Sequence, residues 1–161
     1  MNTIIIDGNN LLHKIPSFKK SFSTSPDNTR RSLVEAVKVR VRIKAKIIFV
    51  FDGHSDDKTQ NVIYSGKKTA DEVIRKFIEE NYNKNSIKVI SSDNEISSLA
   101  KVCGCEVSSS EKFWEEINIT KSSSPTKGKN INQLYKYDED EREKPTGTSK
   151  KDFNEYLKHF T

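Results

Sequence analysis

Three apolar runs in this chain each lead to an aspartate: Thr3-Ile4-Ile5-Ile6-Asp7, Ile47-Ile48-Phe49-Val50-Phe51-Asp52 and Ile87-Lys88-Val89-Ile90-Ser91-Ser92-Asp93. Short runs of β-branched and aromatic residues bounded by Gly or polar residues read as strands buried on both faces, as in a parallel sheet. Such a sheet brings the C-terminal end of every strand to one edge, and ligands bind there. Asp7, Asp52 and Asp93 are therefore expected together. Asp71, in Thr69-Ala70-Asp71-Glu72, opens a helix whose N-terminus points at the same edge. Carboxylates a few ångströms apart repel by on the order of 4 kcal/mol per pair at an effective dielectric near 20. Hard oxygen ligands of this kind favour Mg2+ or Mn2+, which would offset the repulsion.

The remaining order fits an α/β chain. The spacing predicts a strand over 3–7, a turn at Gly8-Asn9-Asn10 and a short helix from Leu11. Residues 19–28 carry Ser, Thr, Pro26 and Asp27 and read as a loop. Asp27 or Asn28 then caps a helix to about residue 42, with Leu33, Val34, Val37 and Val41 at helical spacing. From Val37 to Ala45 the same residues alternate with Lys38, Arg40, Arg42 and Lys44, which is the strand period. Helix is preferred, because a parallel neighbour at residue 46 needs a crossover before it. Further strands are expected at 46–52, 61–64, 87–91 and 105–108, with helices over 70–83 and 94–102 and another from Ser110. This alternation is that of a three-layer α/β/α sandwich around a mainly parallel sheet.

The chain has 161 residues and only 33% hydrophobic residues. Its mean hydropathy of -0.75 is low for a globular protein. The deficit is local. Residues 1–119 form the expected domain, whereas 120–148 are rich in Ser, Lys, Gly and Pro and read as a polar, extended or disordered linker. Ser149-Lys150-Lys151-Asp152 starts a C-terminal helix over 149–161, with Phe153, Tyr156, Leu157 and Phe160 on one face. The net charge of +5 suits a polyanionic partner such as nucleic acid. No 18-residue apolar run and no signal-peptide pattern stands in the sequence, so a cytoplasmic location without membrane contact is expected.

Other chemistries find little support. Cys103 and Cys105 lack the further soft ligands of a zinc site and read as reduced thiols. His13, His54 and His159 are isolated, so no Ser/Cys-His pair is suggested. A haloacid-dehalogenase-like phosphatase would need Asp-x-Asp where Asp7-Gly8-Asn9 stands. A response-regulator receiver would need a Lys where Val107-Ser108 stands. Each aspartate alone also has a structural reading as a turn former or a helix N-terminal charge. Asn10 can supply a neutral oxygen beside them. Basic residues at Lys19, Lys20, Arg30, Arg31, Lys38, Arg40, Arg42, Lys44 and Lys46, and at Lys67 and Lys68, are either a solvated face or a phosphate track next to the acids.

These ordered segments resemble the NYN domain family of PIN-like nucleases in its bacterial YacP-like branch. The resemblance is carried by Ile5-Ile6-Asp7-Gly8-Asn9-Asn10-Leu11, by Ile48 to Gly53, by Val62-Ile63-Tyr64-Ser65 with Thr69-Ala70-Asp71, and by Val89 to Asp93. Gly104 to Ser108 fits the closing strand, and the last dozen residues fit loosely. It implies a metal-dependent endoribonuclease acting on messenger or structured RNA, with some relatives associated with ribosomes. It implies Asp7, Asp71 and Asp93 as metal ligands, Asp52 and Asn10 as supporting catalytic residues, and Lys67, Lys68, Arg75, Arg30 and Arg31 as RNA-binding residues. Two positions depart from the family pattern: Asn9, where an aromatic residue is common, and Arg75, where an acid often stands. The alternative reading is a PIN-like RNA- or ribosome-binding module without turnover.

Overall fold

A computed structural model describes residues 2–119. The expected linker over 120–148 and helix over 149–161 lie outside the described residues. In chain order the elements are β1 (Asn2–Asp7), α1 (Gly8–Lys14), α2 (Pro16–Thr24), α3 (Pro26–Arg40), β2 (Lys46–Phe51), β3 (Val62–Tyr64), α4 (Ala70–Asn81), β4 (Ser86–Ile90), α5 (Asn94–Val102), β5 (Glu106–Ser108) and α6 (Ser110–Ile119). The sheet has the order β3-β2-β1-β4-β5, and every pairing is parallel. The chain thus builds outward from β1 to β3 on one side and then crosses to β4 and β5 on the other. The crevice where that direction reverses opens between the C-terminal ends of β1 and β4.

Strand parity decides which side chains reach each layer. Ile4, Ile6, Phe49, Phe51 and Ile90 pack with Leu11, Leu33, Val37 and Phe113 in the core under α1, α3 and α6. The alternate residues Ile5, Ile48, Val50, Ile87 and Val89 are also buried, and so are Ile74, Ile78, Ile96 and Leu99 of α4 and α5. Continuing this alternation to the strand ends sends Asp7, Asp52 and Ser91 toward the α4–α5 layer. Asp71 and Asp93 open the two helices of that layer.

Two local expectations are corrected. Residues 16–24 form a helix where 19–28 read as a loop. Pro16 stands in its first turn, where a missing N–H costs nothing. Phe18 and Phe22, one helical turn apart, both pack on the core; Phe18 meets Trp114 edge-on at 5.7 Å between ring centres. That apolar pair outweighs the Ser and Thr content. Gly8-Asn9-Asn10 likewise forms the first turn of α1, capped by Asp7, whose carboxylate accepts from the Asn10 N–H at 3.0 Å. The double period near Val37 resolves as helix up to Arg40. Val39 and Ile43, which completed the alternating pattern, are 71% and 62% exposed.

Thr69 closes a capping box at the start of α4. Its hydroxyl accepts from the Glu72 N–H at 3.2 Å, and the Glu72 carboxylate accepts from the Thr69 N–H at 2.8 Å. This cap fixes the turn that carries Asp71. Thr69→Ala is expected to cost about 1 kcal/mol, read as a lower urea midpoint with an unchanged slope. An unchanged midpoint would mean that water caps α4 equally well.

Candidate active site

Asp7 is the last residue of the central strand and is only 5% exposed. One carboxylate oxygen accepts from the Asn10 N–H, and the other accepts from the Ser91 hydroxyl at 3.2 Å. Burial pushes its carboxyl up to about 6, against the lowering effect of the Asn10 hydrogen bond, and the charges of Asp71 and Asp52 raise it further. Asp71 is raised as well, first by desolvation and then by Asp93, with Asp52 and Glu95 adding and Arg75 opposing. The expected acids therefore form one electrostatically coupled group.

Their roles differ. Both oxygens of Asp52 are engaged: one accepts from the Ala70 N–H at 2.7 Å and the other from the Asn9 side-chain amide at 2.9 Å. Asp52 thus fastens the N-terminus of α4 and the first turn of α1 to β2, and Gly53, at φ +87°, turns the chain away directly after it. Asp93 caps α5 with a single oxygen, which accepts from the N–H groups of Glu95 and Ile96. Asp71 accepts no hydrogen bond from the described residues. Among the described residues, the oxygens left without a hydrogen bond are thus those of Asp71 and the second oxygen of Asp93.

Asn10 faces the other way. Its carbonyl oxygen accepts from the Ser92 N–H at 3.0 Å and from the Ser110 hydroxyl at 2.7 Å, which ties α1 to the ends of β4 and the start of α6. Ser92 in turn donates to Glu111 at 2.5 Å, and Lys14 pairs with the same carboxylate at 3.0 Å. The Ser92 hydroxyl and Lys14 help to hold the Glu111 carboxyl down at about 2. Asn10 is a positioning residue in this arrangement. Sequence reading missed Ser91, which joins Asp7 to the Asp93 N–H, and Asn9, which clamps Asp52. The Asp-Gly-Asn-Asn run contained the signal for Asn9. Ser91 could have been found from its position two residues before Asp93, on the strand face shared with Val89.

The basic residues separate into groups. Lys67 and Lys68 are exposed in the turn just before Thr69. Arg75, one helical turn after Asp71, pairs with Glu95 of α5. Arg30 lies over the rings of Phe22, Phe51 and Tyr64 and donates to Asp27 and to the Asp52 carbonyl. Arg31 pairs with Asp57 at 3.2 Å. The segment from Lys38 to Lys46 does not border the acids. Lys46 pairs with Thr3 at the beginning of the strands, whereas Asp7 stands opposite Val50 at their end. Arg40 is occupied by Asn118, the Ala36 carbonyl and the Trp114 ring.

A model of the YacP-like NYN domain matches residues 4–159. The chain belongs to the YacP-like NYN domain family. Two crystal structures of Rae1 (YacP) from Bacillus subtilis, one of a mutant, are similar to this NYN domain. Each is 24% identical, with 74% of this chain covering 76% and 75% of theirs at TM-scores of 0.63 and 0.62. That likeness establishes a shared fold, in keeping with the expected three-layer α/β architecture. No curated protein matches the chain.

The donor set of this NYN domain suits a hard divalent cation: carboxylate oxygens only, one of them buried, with mutual repulsion to relieve. Among the described residues, no three His, Cys, Asp or Glu side chains are drawn into a ready-made metal cluster. The coupling of Asp7, Asp71 and Asp93 supports the fit of the group, and their coordination geometry is left to the bound state.

Proposed function

We propose that this chain is a divalent-metal-dependent endoribonuclease that hydrolyses RNA phosphodiester bonds at the acidic pocket on the C-terminal edge of its sheet. The observation that carries this reading is the buried Asp7 carboxylate at the β1–β4 crevice, raised by its own burial and by two neighbouring acids. A structural turn former has no need of that surrounding charge. Asp7, Asp71 and Asp93 would hold Mg2+ or Mn2+. Such a cation, when bound, offsets charge on the scissile phosphate and makes water more acidic. Asp52 and Asn10 hold the three elements that bring the acids together. Lys67 and Lys68, exposed in the turn before α4, bind the neighbouring phosphates, and Arg75 lends positive charge beside Asp71. The substrate is messenger or structured RNA in the cytoplasm, where the ribosome is a further candidate partner. No described helix is long and apolar enough to cross a membrane.

A ligand that binds the folded state stabilises it by mass action, by about 2.7 kcal/mol at a hundred times its dissociation constant. Millimolar Mn2+ is therefore expected to raise the melting temperature of the wild type and to raise it less in Asp71→Asn. Equal shifts in both would place the cation elsewhere. The second reading, an RNA-binding module without turnover, draws on Arg75 beside Asp71, whose guanidinium partly offsets the charge of that carboxylate without a metal. Such a module would hold RNA with a steep salt dependence and leave it intact.

A further inference from the structure

Behind the acidic edge, on the α3 side of β2, the protein forms a cavity of about 150 Å3 between α3, β2, β3 and the loop that joins the two strands. Phe51 and Tyr64, paired at the ends of β2 and β3, form its aromatic wall, with rings 5.8 Å apart. Arg30, Arg31, Glu35, Asp57 and Thr59 provide its polar groups, and Val34 and Val62 complete the lining. The Arg30 guanidinium stands 5.7 Å from the Tyr64 ring centre, and its Nε–H is buried without an acceptor among the described residues.

We propose that this cavity is a nucleobase pocket, which takes one unpaired base of the RNA strand whose backbone crosses the acidic edge. The inference rests on the ribonuclease reading above and adds where that enzyme grips its substrate. Size selects a single ring system. The volume equals that of about five liquid waters, well below the roughly 300 Å3 at which pockets for whole drug-sized ligands begin. Chemistry selects a base over a phosphate. Single-stranded RNA is read by stacking splayed-out bases on aromatic rings and guanidinium planes, and Tyr64 with Arg30 offers both surfaces. The lining sets Glu35 and Asp57 against Arg30 and Arg31, so it presents no net positive charge to a phosphate. The same Arg30 guanidinium donates to the Asp52 carbonyl at 3.4 Å, which ties the pocket to the strand end that carries Asp52.

The test uses the full chain with a short fluorescent single-stranded RNA of mixed sequence, in which one abasic nucleotide is walked along the strand. Binding is read by anisotropy in EDTA, and cleavage is read separately in Mn2+. One abasic position is expected to weaken wild-type binding about tenfold, the effect of losing one stacked base. Val62→Phe, which fills the cavity with a residue suited to a strand, is expected to remove that sensitivity, whereas Tyr64→Phe keeps it. Circular dichroism and thermal unfolding establish that both variants fold. Equal sensitivity in Val62→Phe and wild type, or no sensitive position in wild type, overturns the pocket. Sensitive binding without cleavage in Mn2+ would uphold the pocket and count against the nuclease. Cleavage indifferent to every base would do the reverse.

Discussion

Asp7→Asn is expected to abolish RNA cleavage and, at neutral pH, to make the protein more stable. Removing even a residue that only orients metal ligands commonly costs 10–100-fold, so loss of a ligand should cost at least about 100-fold. The stability gain follows from the same burial. The Asp7 carboxyl sits at about 6 in the folded chain and near 3.8 when unfolded. The folded state therefore holds its proton more tightly, and the ionised carboxylate opposes folding. That penalty is absent below about pH 4, grows as pH rises, and is complete above about pH 6. At 1.36 kcal/mol per unit it amounts to on the order of 3 kcal/mol. Asparagine carries no charge to desolvate. In metal-free buffer the variant's melting temperature should exceed that of wild type at pH 7.5, and the two should converge near pH 4. A variant less stable than wild type across this range would mean that the hydrogen bonds to Asn10 and Ser91 outweigh the buried charge.

Gly8→Ala is expected to destabilise the fold by about 2–3 kcal/mol, the usual cost of forcing an extra carbon into a packed core. A Cβ at this position would stand 2.3 Å from Cε1 of Phe51. Phe51 is fully buried, lies parallel to Phe49 and inclined to Tyr64, and sits beneath Arg30, so its ring can yield only toward the cavity beside α3. Alanine is ordinarily the better helix residue by about 1 kcal/mol, which makes the predicted sign a direct report on this contact. For a domain of this size the loss corresponds to a fall of roughly 10 °C in melting temperature. Cleavage should fall too, because tilting α1 away from Phe51 pulls the Asn10 N–H from Asp7. An unchanged or raised melting temperature would contradict the seating of α1 on β2.

The sheet and the acidic edge were legible because both depend on short-range patterns. Ile4 to Ile6, Ile48 to Phe51 and Val89-Ile90 are strands by composition alone, and an aspartate close after each falls on the ligand edge of any parallel sheet. The run Thr69-Ala70-Asp71-Glu72 announced the start of α4. The helix at 16–24 was hidden because its stability comes from Phe18 and Phe22 reaching Trp114 and the core, contacts that no local window contains. The division of labour among the acids was hidden for the same reason. Asp52 resembles Asp7 in sequence, and only the partners of its two oxygens, Ala70 N–H and Asn9, mark it as a fastening. The basic stretch from Lys38 to Lys46 stayed open between a solvated face and a phosphate track, because charge content carries no information about which end of a strand it occupies.

The most direct measurement is cleavage of labelled single-stranded and hairpin RNA by wild type and Asp93→Asn, each in Mn2+, in Mg2+ and in EDTA. Asparagine caps a helix as well as aspartate does, so this substitution keeps α5 and removes only the charge. Cutting by wild type with either metal, none in EDTA and none by the folded Asp93→Asn chain is the predicted result. Cutting that persists in EDTA or in Asp93→Asn, or RNA bound and left whole under every condition, would contradict the account.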